Sequence, residues 1–262
     1  MYLFKYIGIE RQGYSLKDFT LEVCVDSLES AVAATQGGAT RLELCSNLLI
    51  GGTTPGVFLY REVTKLCTVP VHILIRPRFG DFCYTESELR IMSEDVSQFR
   101  QEGAQGVVIG VLSPDGSLNM TAMETLYRAA DGMQITLHRA FDMCRNPFGT
   151  LKQAEVLGIG TILTSGQRDR CLDGAELIGE LASQSQVDIM AGGGVTAEII
   201  RELHAKTGIS SYHLSGKVVI DSPMVFRNPN LSMGLPSLGE YELWRTSTAK
   251  IAAARRVLEE IE

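Results

Sequence analysis

The chain has 262 residues, is 45% hydrophobic and carries a formal net charge of −7. That is enough apolar mass for one large α/β core, with an acidic surface that repels phosphate backbones, so nucleic acid is not an expected partner. No apolar run approaches the roughly 18–20 residues of a membrane span, and six cysteines without a C-x-x-C spacing argue against a disulfide scaffold, a zinc ribbon or a thioredoxin-like motif.

Residues 1–18 lack the apolar core and cleavage pattern of a signal peptide and read as an extension, which makes the cytoplasm the expected compartment. The first strand is then FTLEVC (19–24). SLESAVAATQGGA (27–39) reads as a helix capped by Ser27 and closed by glycines. RLELC (41–45) is the second strand. TTPGVFLYREVTKL (53–66) reads as a helix with Thr54 as cap and Pro55 in its first position. VHILIR (71–76) precedes TESELRIMSEDVSQFRQEG (85–103), whose T-x-x-E start is a capping-box pattern. GVVIG (106–110), QITLHR (134–139), TILTS (161–165), VDIMAG (187–192) and YHLSG (212–216) complete eight strands. NMTAMETLYRAADG, NPFGTLKQAEVLG and TAEIIRELHAKTG supply further helices. Residues 217–237 have no obvious structure and read as a lid, an oligomer contact or a loop. A last helix is expected over 238–261, with the single tryptophan, Trp244, packing from it onto the barrel or a partner subunit.

Strands alternating with helices over about 250 residues predict a single (β/α)8 TIM barrel over 19–262. An open doubly wound sheet is the alternative. Polar residues at the carboxyl ends of most strands favour the barrel, closed by pairing 19–24 with 212–216. Chemistry in such barrels sits at those strand ends. LEVC and LELC each place a carboxylate and a thiol on one strand face: Glu22 with Cys24, and Glu43 with Cys45. If both thiols point inward at equal depth, both glutamates lie one layer deeper. Buried carboxylates need cationic or donor partners, and Arg41, Arg76 and His72 are at hand.

The third strand runs into RPRFGDFCYT, with Arg76 and Arg78. The fifth runs into HRAFDM, with His138, Arg139 and Asp142. Histidine transfers protons near neutral pH and arginine grips carboxylate or phosphate. AGGGVT (191–196) opens the helix after strand seven, where barrels often bind phosphate, so the amides of Gly193 and Gly194, with Lys217, form a candidate anion site.

Together LEVC, RLELC, the GG-T-x-P turn, RPRFGDFCYT, HRAFDM, ILTSGQ and IMAGGGV resemble the CutC family, described as copper-homeostasis proteins, over about residues 19–233. The resemblance implies a TIM barrel, a cytoplasmic location, homo-oligomerisation and a copper(I) role centred on Cys24 and Cys45. Two functions follow. One is copper homeostasis with Cu(I) held by these thiolates, a soft-ligand match, with Cys83 and Cys144 as further ligand candidates. The other is an enzyme acting on a small anionic metabolite, phosphorylated ones included. Arg76, Arg78, Arg139, Gly193, Gly194 and Lys217 would bind it, while Glu22, Glu43, His138 and Asp142 would move protons.

Overall fold

The structure, a computed structural model, describes residues 19–231, 233 and 239–261; the expected extension at 1–18 lies outside them. Eight parallel strands close a barrel in sequence order. They are β1 (Thr20–Val25), β2 (Arg41–Leu44), β3 (Val71–Leu74), β4 (Gly106–Ile109), β5 (Gln134–Leu137), β6 (Thr161–Thr164), β7 (Asp188–Ala191) and β8 (Ser211–Leu214). β1 pairs with β8 from Thr20↔Ser211 to Val23↔Leu214, so neither segment is an edge and the open sheet is excluded. The helices are α1 (Leu28–Gln36), α2 (Val57–Leu66), α3 (Glu86–Gln101), α4 (Met120–Ala130), α5 (Pro147–Leu157), α6 (Ala175–Gln184), α7 (Ala197–Thr207) and α8 (Thr248–Ile261). Among the described residues no helix is long and apolar enough to cross a membrane.

The period of two in each strand sorts residues between two environments. Leu21, Val23 and Val25 join Leu42, Leu44 and the helix residues Ala31 and Ala34 in the main core. The alternate positions fill the barrel, where Cys45, Leu74 and Val108 form a small apolar cluster capped by Leu48. The rest of that interior mixes Leu163 and Met190 with polar residues, including Glu22, Glu43, His72 and Thr136, all buried.

Local chemistry sets the helix starts. The Ser27 and Thr85 side chains accept from the amides of Ser30 and Glu88, and Glu88 reaches back to the Thr85 amide, completing the capping box. Thr54 does not cap α2. Its hydroxyl accepts the Arg76 amide, its own amide donates to the Arg76 carbonyl, and the helix begins two residues beyond Pro55 with Gly56 as cap. α6, which has no side-chain cap on Gly174, is a helix that the strand-by-strand reading did not single out.

The largest departure is at the C-terminus. The segment after β8 opens with a strand, β9 (Lys217–Asp221), which pairs antiparallel with β10 (Glu242–Thr246). Trp244 therefore lies on a strand, opposite Val219, and not on the closing helix. Lys217 Nζ sits 4.6 Å from its ring centroid. KVVID and ELWRT are rich in β-branched and large apolar residues, which favour a ribbon over helix. The ribbon is anchored where the Thr246 amide donates to buried Ser30 of α1.

Removing the α3 cap gives a direct check on this local account. Thr85→Ala is expected to lower unfolding stability by about 1 kcal/mol in urea titration, because one amide loses its partner while the helix stays solvent-facing at that end. An unchanged midpoint would show that Glu88 alone holds the helix start.

Candidate functional site at the barrel mouth

The chemistry starts inside the barrel. Glu22, fully buried on β1, accepts Arg41 Nε of β2 at 2.6 Å through one carboxylate oxygen. Its other oxygen lies 2.7 Å from Nδ1 of His213 on β8. Pairing explains the meeting: Glu22 is the register partner of both Arg41 and His213. Burial alone would raise the Glu22 pKa, but Arg41 and His213 outweigh it and hold the carboxyl at about 2. His213 moves the other way. Burial opposes its charge, yet the neighbouring Cys24, Glu43 and Glu22 raise its pKa well above the ordinary value.

Glu43 has no such partner. It pairs in register with Cys24 on one side and His72 on the other. Its Oε2 finds no hydrogen bond, and burial pushes its pKa up to about 7, with Glu22 adding to the rise. His72 is driven down to about 4 by burial and by Arg41, so it stays neutral.

The two thiols are not register partners. Pairing sets Cys24 opposite Glu43, and Cys45 lies beyond Glu43 along the chain. Cys24 faces the mouth cavity. Cys45 sits in the apolar cluster, its thiol 3.6 Å from the Val25 carbonyl, and burial and then the neighbouring Cys24 raise its pKa strongly. Cys24 thus lines the cavity itself, whereas Cys45 lies behind Leu48 and Leu74, which line the same cavity. Glu22, Glu43 and His213 do bring one possible ligand atom each within 4.8 Å of one another, but both Glu22 oxygens are already engaged. Cys83 and Cys144 do not line the cavity.

Above this layer the mouth opens into a cavity of about 390 Å³, lined among others by Cys24, Glu43, Arg76, His138, Arg139 and His213. Arg76 is 8% exposed and gives its hydrogens to the carbonyls of Gly51, Gly52 and Gly80. Gly51 and Gly52 hold φ of +87° and +81°, which turns both carbonyls onto one guanidinium, and a Cβ at Gly52 would collide with Leu74. Arg76 pairs with no carboxylate among the described residues, and its Nε is buried without a partner. His138, packed beside Phe82, accepts the Ala140 amide on Nδ1 at 3.1 Å. The proton of the neutral ring therefore sits on Nε2, which has no partner. Burial and then Arg76 lower its pKa to about 3, so it is a neutral donor at physiological pH.

The remaining candidates separate. Gly193 and Gly194, at φ of +96° and +78° ahead of α7, line the cavity with Lys217. Arg139 lies close to Gly193 and is held by Asp142 at 2.7 Å and by Ser165 at 2.8 Å. Asp142 also receives the Thr164 hydroxyl and the amides of Ser165 and Gln167, so it organises the loop after β6 instead of facing the cavity. Arg78 is spent on Asp81 and Glu88 and does not line the cavity. His213 is the participant that strand-end motifs did not single out. Its alternation with Ser215 on the inward face of β8 was the available signal.

The unpaired Glu43 yields a pH test. Its folded pKa of about 7 lies above the ordinary 4.5, so the folded protein retains a proton that the unfolded chain releases. Stability linked to this group is complete below the lower value and is lost as pH rises towards the upper one. Glu43→Gln removes that titration. Between about pH 5 and about pH 8 the variant should gain on the parent by on the order of 2–3 kcal/mol in urea unfolding. A pH-independent difference would mean that Glu43 ionises freely in the fold.

Comparison with known proteins agrees with this architecture. The model of the CutC family matches residues 19–218. A family protein CutC from Pasteurella multocida is 41% identical over 241 residues, covering 91% of this chain and 98% of that protein. One from Vibrio vulnificus is 42% identical over 237 residues, covering 89% and 95%. Among solved structures, the CutC protein of Streptococcus agalactiae, assigned by name to copper homeostasis, aligns with a TM-score of 0.72 at 30% identity, covering 76% of this chain and 99% of that one. With a closed eight-stranded barrel, its strand-end motifs in place and relatives matched over nearly their full length, the chain belongs to the CutC family.

Proposed function

We propose that the barrel mouth binds a small anionic, phosphate-bearing metabolite and moves protons on it. The observation that carries this reading is Arg76. A buried guanidinium without a carboxylate partner is costly, and an anion in the adjoining cavity would complete its charge balance. His138 Nε2–H faces the same cavity as a neutral donor, and Gly193 and Gly194 offer backbone amides at the start of α7. Arg139 and Lys217 add positive charge at the rim. Glu43, with a pKa near neutrality, is suited to take or give a proton. Asp142 and Arg78 act as supports for the loops in this reading.

Membership of the family carries a link to copper homeostasis, and copper(I) is the second reading. Cys24 supports it as a sulfur at the cavity, beside His213 and Glu43. Cys45 does not join it without leaving its apolar cluster. The protein acts in the cytoplasm, where its thiols stay reduced. Self-association is supported by the exposed Val219 and Ile220 on the ribbon and Phe226 after it.

Inorganic phosphate titrated calorimetrically into the protein tests the anion site. Binding is expected in the parent and should weaken by about tenfold or more in Gly193→Ala, whose new methyl group would sit 3.2 Å from Ser165 Cβ and 3.7 Å from Arg139 Cζ. His138→Gln should weaken it too. No binding to the folded parent would remove the reading.

Anaerobic competition for Cu(I) against a strong chelator separates copper from the anion. Parent, Cys24→Ser and Cys45→Ser are expected to compete equally poorly. Tight uptake by the parent that disappears in both variants would put a two-thiolate copper site in place of this account.

A further inference from the structure

We infer that Cys24, His213 and Glu22 act as nucleophile, base and orienting carboxylate, and that the mouth acts on small anions bearing an electrophilic carbonyl carbon. The inference rests on the anion reading for how the substrate is held and adds what is done to it.

The three residues come from two paired strands. Glu22 and His213 are register partners, and Cys24 stands two residues above Glu22 on the same inward face. His213 Nδ1 is committed to Glu22 at 2.7 Å, which leaves Nε2 outside that bond, and the His213 and Cys24 side chains line the same cavity. Arg41, at 2.6 Å, locks the carboxylate from the opposite side. A buried carboxylate that fixes an imidazole, which in turn faces a sulfur at a cavity wall, is the arrangement needed to activate a thiol. Cys24 and His213 both line the mouth.

Three further groups show that the cavity is built for a ligand. Glu43 Oε2, Arg76 Nε and His138 Nε2 are buried and without partners at its wall, in residues 6%, 8% and 4% exposed. The anionic part of a substrate would lie against Arg76 and the Gly193–Gly194 amides. His138 Nε2–H would donate to its carbonyl oxygen.

The step balances without an external oxidant or reductant. His213 in its neutral form takes the Cys24 proton and becomes the imidazolium that Glu22 stabilises. The sulfur lone pair forms a C–S bond to the carbonyl carbon while the C=O π pair moves onto oxygen. His213 returns the proton to that oxygen, giving a thiohemiacetal with no leaving group and no change in net oxidation state.

Iodoacetate is a suitable probe, being a small anion with an electrophilic carbon. On alkylation the S–C bond forms, the C–I bond breaks, iodide leaves with the bonding pair, and the thiol proton departs through His213. Rates at each cysteine are read by peptide mass spectrometry on the reduced protein. Cys83, the one cysteine of intermediate exposure, is the internal reference. Cys24 is expected to react about tenfold faster than Cys83, to prefer iodoacetate over neutral iodoacetamide, and to be slowed by inorganic phosphate. His213→Asn and Glu22→Gln should each cut the Cys24 rate by about tenfold and leave Cys83 unchanged. Circular dichroism and Trp244 emission report whether these variants are folded. If either fails to fold, the parent's Cys24-to-Cys83 ratio decides alone. Cys24 reacting more slowly than Cys83, or at parental rate in a folded variant, overturns the inference. Phosphate binding together with a slow Cys24 overturns the nucleophile and leaves the anion site standing, whereas absent phosphate binding overturns the anion site itself.

Discussion

The Arg41–Glu22–His213 chain is the constraint around which the barrel interior is arranged. Three ionisable groups lie side by side on β2, β1 and β8, where the cylinder closes. Removing Glu22 from water is costly, and only contacts as short as 2.6 and 2.7 Å on its two oxygens keep it ionised. Strand closure and charge closure are therefore one event. A shift of one residue between β1 and β8 would turn His213 towards the helices and leave Glu22 half-satisfied.

From that chain the polarity divides. Glu22 uses its charge entirely within the barrel, while Glu43, one strand over, is left near its titration point. Two carboxylates in nearly identical LEVC and LELC settings thus acquire opposite pKa shifts, because Arg41 and His213 contact the oxygens of Glu22 directly and not those of Glu43. The same principle separates the arginines. Arg78 is neutralised by Asp81 and Glu88, whereas Arg76 holds carbonyl oxygens and meets no carboxylate among the described residues.

Much of this was legible in the sequence. Eight apolar runs with period-two alternation announced the barrel, and strand ends rich in Arg, His and Gly announced its working face. What remained hidden has definite causes. Stagger between β1 and β2 cannot be read from two similar motifs, so the sequence leaves open which residue of LELC stands opposite Cys24, and the structure puts Glu43 there. ELWRT lies immediately before a helical stretch and was absorbed into it, since its strand character depends on KVVID about 20 residues earlier. Thr54 had the composition of a helix cap, but the end of β3 claims its hydroxyl. α6 starts at Gly174 without a side-chain cap, so no residue marks its beginning.

Arg76 also has a mechanical role. By holding carbonyls of Gly51, Gly52 and Gly80, it staples the loop after β2 to the loop after β3 across the rim of the cavity. These loops are ordered by the protein's own cation before any guest arrives. A ligand meeting this rim spends little of its interaction energy on freezing backbone there. Discrimination on that side then comes from the shape of a stiff aperture and not from closure around the guest, so undersized anions that leave Arg76 Nε or His138 Nε2 uncovered are penalised by the unfilled donors.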